Sequence, residues 1–261
     1  MAHIDLAELT EWLREAGVIA RGYFNAVDGA RKADNSYVTR ADTEIERYLV
    51  ARLAARYPTF GILGEEQTST ALTNEYVWAL DPLDGTAGFV NGLPIWGPAL
   101  GLLHRGVPVA GIIHLPLLDD TYTAAIDGPA LRNGQPIAVA PPRPYDGEDW
   151  MTVPANCHRQ LDIGFVGKTR SLGSTAASIC YAARGSAAIA LVALSGIWDI
   201  AAAFAILRAA GGIAQTLDGQ RVDDRSVLDN PRVKGALICG APHHIAQILP
   251  TIRERKLVDR R

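Results

Sequence analysis

The apolar residues of this chain change their spacing partway along it, and that change limits the folds open to it. Leu6, Leu9, Leu13, Ala16, Ala20 and Phe24 recur at three- and four-residue steps. That predicts an amphipathic helix, with Asp5 placed to cap it and Glu8 to reach back. A second helix is predicted from about Arg40 to Arg56, with Ile45, Leu49 and Leu53 inward and Pro58 as its stop. Between them Asp28 to Tyr37 is polar and turn-rich, an exposed and mobile loop. Then short apolar runs separated by Gly, Pro and Asn take over. Tyr76 to Leu80, Gly97 to Leu103, Val107 to His114 and Thr121 to Ala125 read as strands. His104-Arg105-Gly106 and Asn133-Gly134 are tight-turn signals.

The proline-rich, polar stretch Pro141 to Asp149 is the natural junction between an N-terminal domain, residues 1–140, and a C-terminal one, 141–261. Beyond it, strands near Met151 and Ala187 alternate with helices at Ser174 to Arg184 and about Asp199 to Ala210. A strand at Ala236 to Cys239 and a helix from about His243 follow. The expected architecture is a layered α+β or α/β sandwich with mixed sheets.

In 261 residues, 48% are hydrophobic and 20% charged, the balance of a folded globular protein. A net charge of −3 offers no electrostatic attraction to a nucleic acid polymer or an anionic membrane. Ala187 to Leu207 has the length of a membrane span, but Asp199 near its middle would cost roughly 2.5–3.5 kcal/mol there. A buried strand, a turn at Ser195-Gly196 and a buried helix fit better. Cys157, Cys180 and Cys239 are odd in number and form no CxxC pair, which argues for free thiols in a reducing compartment. The residues from Met1 to Leu9 lack a signal-peptide pattern, so a cytoplasmic protein is expected.

Three acidic sites carry the chemistry: Gly64-Glu65-Glu66, Asp81-Pro82-Leu83-Asp84-Gly85-Thr86, and Trp198-Asp199 opening a helix that ends in Gly211-Gly212. In the middle one a strand ends at Leu80, and a turn at Pro82 can bring Asp81 and Asp84 to one side. The Leu83 carbonyl is then free as an oxygen ligand, and carboxylates with a carbonyl and waters suit Mg²⁺. Gly85 allows close backbone approach, and the N–H groups of Gly85 and Thr86 can face an anion. Alone, the string fits a surface turn equally well. An EF-hand loop is excluded because the acids are three apart rather than two. The haloacid-dehalogenase phosphatases space their acids by two, which is also a mismatch.

Taken together, these motifs, with Val38-Thr39-Arg40-Ala41-Asp42 before the second helix and Ile200-Ala201-Ala202 after Asp199, resemble the signature set of the inositol monophosphatase family in order and spacing, from about Leu6 to Cys239. The resemblance implies magnesium-dependent, lithium-sensitive hydrolysis of a small phosphorylated metabolite, in a homodimer. It implies one Mg²⁺ on Glu65, Asp81 and the Leu83 carbonyl, and a second on Asp81, Asp84 and Asp199. Thr86, supported by Glu65 and hydrogen-bonded to Asp42, would orient the attacking water. A third, weaker Mg²⁺ near Glu65 would be tuned by Glu66. Lys32 would approach the site from its loop, a solvated lysine being the plain alternative. Gly173 and Thr175 fall where the family's backbone meets substrate, alongside Gly85, Thr86 and Asp199; a simple cap and turn is their plain alternative.

One position departs from the pattern. Inositol-specific relatives carry Glu seven residues before the last metal acid, and here Val192 stands in an apolar run. Losing a buried hydroxyl acceptor weakens polyol selectivity. Histidinol phosphate and 3′(2′),5′-bisphosphate nucleotides thus stay beside inositol and sugar phosphates as substrates, and a catalytically silent metal-binding protein is the reading from another class. Elsewhere, His243-His244 read as structural or surface residues not sharing a face, Cys157-His158 as an exposed turn, and Arg253 to Arg261 as a solvated helix end.

Overall fold

The structure, a computed structural model, describes residues 4–26, 29–33, 35–66, 68–125, 127–193, 196–222 and 235–255. Helix α1 (Leu6–Tyr23) opens on Asp5, whose side chain accepts from the N–H groups of Ala7 and Glu8. A two-stranded hairpin, β1 (Ala30–Arg31) and β2 (Tyr37–Val38), leads to α2 (Arg40–Arg56). Glu8 does not reach back as expected. The Asp5 N–H goes to Tyr57 Oη at 3.3 Å, and the Glu8 carboxylate pairs with Arg56 Nε at 3.0 Å.

The next segment builds the first sheet: β3 (Gly61–Gly64), β4 (Ser69–Thr70), β5 (Tyr76–Asp84), the short α3 (Thr86–Val90), β6 (Gly97–His104), β7 (Val107–Leu115), β8 (Asp120–Ala125), β9 (Leu131–Arg132) and β10 (Gln135–Pro136). Its order is β10-β9-β8-β7-β6-β5-β3-β4, with β3 and β5 parallel and the other pairs antiparallel. Both turn signals hold for the same reason: Arg105 and Gly106 have φ of 51° and 83°, Asn133 and Gly134 49° and 76°. Two left-handed residues in a row match the twist of the strands they join.

The rest comprises β11 (Trp150–Thr152), α4 (Cys157–Gln160), β12 (Leu161–Ile163), β13 (Lys168–Arg170), α5 (Thr175–Ala183), β14 (Ile189–Ala193), α6 (Ile197–Ala209), β15 (Ile213–Thr216), β16 (Ala236–Gly240), α7 (Pro242–Ile248), a 3₁₀ turn (Leu249–Thr251) and β17 (Ile252–Glu254). The second sheet, β13-β11-β14-β16-β15, is mixed as well, and β12 pairs with β17 at its side.

Strand alternation stacks these elements into layers. Trp78 and Leu80 of β5 pack with α1 and α2, while Val77 and Ala79 face the opposite core with α5 and α6. Ala190 and Val192 of β14 join that central core; Ile189 and Leu191 turn to the far side against Ile245 and Ile248 of α7. The order is therefore helix pair, sheet, helix pair, sheet, helix, the layered sandwich with mixed sheets expected from the sequence. Among the described residues no helix is long and apolar enough to cross a membrane.

Several local expectations are corrected. Helix α6 starts at Ile197 with Gly196 as its cap, so Asp199 is its third residue rather than its first. Strand β5 runs on to Asp84 instead of ending at Leu80. Cys157 and His158 lie in the one-turn helix α4. The expected terminal helix is instead β17 at Ile252–Glu254, held by β12; residues 256–261 lie outside the described residues. The rings of His243 and His244 meet at 4.2 Å, and His244 is buried against Tyr145. These were short or locally ambiguous segments whose partners are remote in sequence.

Candidate active site

The close approach of α6 to the first sheet is what gathers the acids. In β6 and β7 the facing residues on the α6 side are Gly101 and Gly111, directly opposite each other. A Cβ on Gly111 would sit 2.2 Å from the Ala202 carbonyl oxygen, and one on Gly101 2.6 Å from Ala201 Cβ. Only glycine admits the helix backbone there, and overpacking costs about 1–3 kcal/mol. Gly101 also pairs with Ala79 of β5. Asp81 lies two residues beyond Ala79, and Asp199 two residues before Ala201, so the packing that seats α6 brings these acids together.

Between Asp81 and Asp84 the ladder slips. Asp81 pairs with Ala99 and Asp84 with Gly97, so β5 carries one extra residue at Pro82-Leu83. This bulge, not a turn, sets both acids on one face, and proline is tolerated because a bulge spares its missing N–H. The Leu83 side chain is buried in the α1/α2 core, and its N–H donates to Asp81 Oδ1 at 2.8 Å.

Glu65, Asp81 and Asp199 each present an oxygen within 4.8 Å of the others. Asp84 is not part of that triplet: its Oδ1 accepts from Thr175 N at 3.0 Å, and its Oδ2 from Ala176 N at 2.9 Å and from the Ser174 hydroxyl. Gly85, at φ +93°, turns the chain tightly enough that its Cβ position lies 3.3 Å from the Gly173 carbonyl. Gly85 and Gly173 are therefore close neighbours, with Thr86 and Thr175 next to them at the starts of α3 and α5.

Thr86 Oγ1 lies 3.0 Å from both Asp42 Oδ1 and the Leu83 carbonyl oxygen. The other Asp42 oxygen accepts from Thr39 N at 2.7 Å and Thr39 Oγ1 at 2.6 Å, completing the capping box that starts α2. One carboxylate thus anchors a helix and a site hydroxyl together. Lys32 is bent inward from its hairpin, its Nζ 2.9 Å from Glu65 Oε1 and 2.7 Å from Glu66 Oε1.

Electrostatics follow the geometry. Burial, then repulsion from Glu65, Asp199 and Asp84, pushes the Asp81 carboxyl well above the usual range. Asp199 is raised in the same way, by burial and then by Asp84 and Glu65. Burial raises Asp84 to about 6 even against the donors from Ser174, Ala176 and Thr175. Glu66 rises to about 7 through burial, with Lys32 opposing. Burial also raises Asp42, against its bonds to Thr39 and Thr86. Burial lowers the Lys32 ammonium, but hydrogen bonds and charge from Glu66 and Glu65 more than reverse it. Crowded carboxylates sharing a cleft are short of positive charge, and all-oxygen donors of this kind fit a hard divalent cation.

Sequence reading missed two supports. Glu46, buried one turn after Asp42 on α2, accepts from Glu66 N at 2.8 Å, Thr68 N at 3.0 Å and Thr68 Oγ1 at 2.8 Å, and so shapes the loop that carries Glu65. A Cβ on Gly64 would lie 2.7 Å from its carboxylate, which is why glycine precedes the acid pair. Its signal was an acid on the inward stripe of a helix, four residues from Asp42. Ser174 is the other.

The sequence matches the inositol monophosphatase family over residues 5–256. A probable inositol 1-monophosphatase, ImpA of Mycobacterium tuberculosis, is 35% identical over 242 residues, 86% of this chain and 84% of that protein. A histidinol-phosphatase of Chlorobaculum parvum is 29% identical over 225 residues, 80% of this chain and 84% of that one. In fold, the extragenic suppressor protein suhB of Bartonella henselae agrees with a TM-score of 0.79 at 24% identity, over 94% of this chain and 97% of that one. The match extends beyond the cleft in both directions, from the capped first helix to the last strand, and the chain therefore belongs to the inositol monophosphatase family of phosphoric monoester hydrolases.

Proposed function

We propose that this enzyme hydrolyses a small phosphomonoester with Mg²⁺ as cofactor, releasing inorganic phosphate by direct attack of water. The observation that carries this is the convergence of Glu65, Asp81 and Asp199 within 4.8 Å, with Asp84 beside them. Glu65, Asp81 and the Leu83 carbonyl would hold one ion, and Asp81, Asp84 and Asp199 a second, with Glu65 and Glu66 as the place for a weaker third. When bound, such a pair of ions neutralises the phosphate and lowers the cost of making hydroxide and of releasing an alkoxide.

The chain's own groups then have distinct tasks. Thr86 donates to Asp42, which leaves its oxygen lone pairs to accept a hydrogen bond from water and so aim that water; Glu65 borders the same spot. Gly85 and Thr86 at the start of α3, with Gly173 and Thr175 at the start of α5, flank the phosphate. No acid is left over as a nucleophile, so no phosphoenzyme is expected.

Substrate choice is broader. Val192 is 3% exposed and packed in the central core, so its side chain offers no acceptor to a polyol hydroxyl. This favours no strict selectivity for inositol 1-phosphate, and a histidinol phosphate, sugar phosphate or bisphosphate nucleotide remains in the class. Free Cys157, Cys180 and Cys239 support a reducing, cytoplasmic setting. A homodimer, inferred from family resemblance, is checked by light scattering.

The test is a panel of phosphomonoesters with and without Mg²⁺. Release of phosphate that requires Mg²⁺, is opposed by Ca²⁺ and is inhibited by Li⁺ is expected. Tight Mg²⁺ binding with no turnover on any of them would favour the silent metal-binding reading instead.

A further inference from the structure

Asp84 and the N-cap of α5 are 90 residues apart in sequence, yet among the described residues every hydrogen bond to this carboxylate comes from Ser174, Thr175 and Ala176. Ser174 differs from the other two. As the N-cap of α5 its hydroxyl oxygen accepts from Ala177 N at 3.0 Å. An oxygen used that way keeps its single proton for another acceptor, and here that acceptor is Asp84 Oδ2. Ser174 is 3% exposed, so water does not compete for the bond.

The consequence is an asymmetric carboxylate. With two donors, from Ser174 and Ala176, the lone pairs of Oδ2 are filled; with one, from Thr175, Oδ1 keeps a lone pair. We propose that Ser174 is the positioning residue for Asp84: its hydroxyl locks the carboxyl rotation so that Oδ1 alone is presented to a cation. The same group starts helix α5, so one hydroxyl ties the β5 bulge to the helix that borders the phosphate. This rests on the reading that Asp84 serves the second of two ions.

The test uses manganese as an observable substitute for magnesium, with bound ions counted by electron paramagnetic resonance in the full chain. In Ser174→Ala the weaker of two ions should bind about ten-fold less tightly, the loss expected for a hydrogen bond to a charged group. The tighter ion should stay within about two-fold, and the magnesium concentration for half-maximal activity should rise more than kcat falls. Ser174→Thr keeps the hydroxyl and should restore wild-type binding. Ser174→Ala that melts lower but binds both ions as wild type would overturn the proposal, leaving Ser174 a helix cap alone. Asp84→Asn separates the two levels. If it loses the weaker ion while Ser174→Ala does not, only the positioning role fails. If it binds both ions normally, the assignment of Asp84 fails first and the proposal with it.

Discussion

Two buried aspartates of the first sheet, Asp81 and Asp120, are 2% and 3% exposed, but their surroundings are opposite. Asp120 is gripped by Arg132 through two bonds of 2.8 and 2.9 Å, by Asn133 at 3.2 Å and by Arg184 at 3.4 Å. Asp81 accepts one backbone N–H, from Leu83, and faces Glu65, Asp84 and Asp199. A buried carboxylate that only holds the fold together comes with its cations or hydrogen-bond donors built in, as Asp120 and Glu46 do. One crowded by further carboxylates is balanced by something the chain does not encode. The difference teaches where to look for the cofactor: not at every buried acid, but at those crowded by other acids.

The contrast is most sharply tested at Asp81. Asp81→Asn should lower Mg²⁺-dependent phosphate release on the order of a thousand-fold, a loss of about 4 kcal/mol of transition-state stabilisation. It should also abolish the rise in melting temperature that Mg²⁺ produces in the wild type. An Asp81→Asn enzyme as active as wild type would break the comparison outright.

Asp120→Asn should show the reverse pattern: about 2 kcal/mol less stability by denaturant unfolding, discounted because Arg132 is partly solvated, with kcat and Mg²⁺ affinity unchanged. If kcat fell instead, Asp120 would belong with the working acids.

Acidity supplies a third check. The carboxyls of Asp81 and Asp199 are raised, and Asp84 to about 6, so from roughly pH 4 up to about pH 6 the metal-free folded state holds protons that the unfolded chain releases. Their contribution to metal-free stability therefore declines as pH rises through that window. Mg²⁺ must displace those protons, so the melting shift it causes should be smaller at pH 5 than at pH 7.5. Buried His114 and His244, whose pKa values are lowered chiefly by burial, erode stability in the other direction, as pH falls below the ordinary histidine range. They act on metal-free and metal-loaded protein alike, so the difference between paired melts isolates the acids. A shift constant across pH would contradict the raised carboxyls.

The smallest effect is expected at Lys32, the chain's own positive charge beside the cluster. Replacing it by Met should tighten the weakest cation roughly threefold, within the range of a partly exposed ion pair, as read by titration calorimetry. Weaker binding would mean that Lys32 shapes the loop rather than competing for the acids.

Much of this was legible in the chain. Asp5 announced the start of α1, because capping is decided within three or four residues, whereas the Thr39–Asp42 capping box that starts α2 emerged only with the structure. The acids were legible as candidates because glycine, proline and aspartate clustered where short apolar runs end. What stayed hidden were supports that act across distance. Glu46 looked like one more acid on a helix until its carboxylate met the Thr68 loop. Ser174 looked like a cap until its proton was traced to Asp84. Lys32 read as a solvated loop lysine as readily as a site residue, and only its salt bridges to Glu65 and Glu66 decide between the two.

By itself the sequence determined the first two long helices, the strands between Tyr76 and Ala125, the two strand-joining turns and which acids were candidates, since dihedral preference, period and side-chain chemistry are local properties. Only the tertiary structure decided that Asp199 would meet Asp81, because that depends on two glycines in neighbouring strands letting α6 approach. It also decided which face each acid takes, because a single extra residue in β5 matters only relative to the partner strand it slips against.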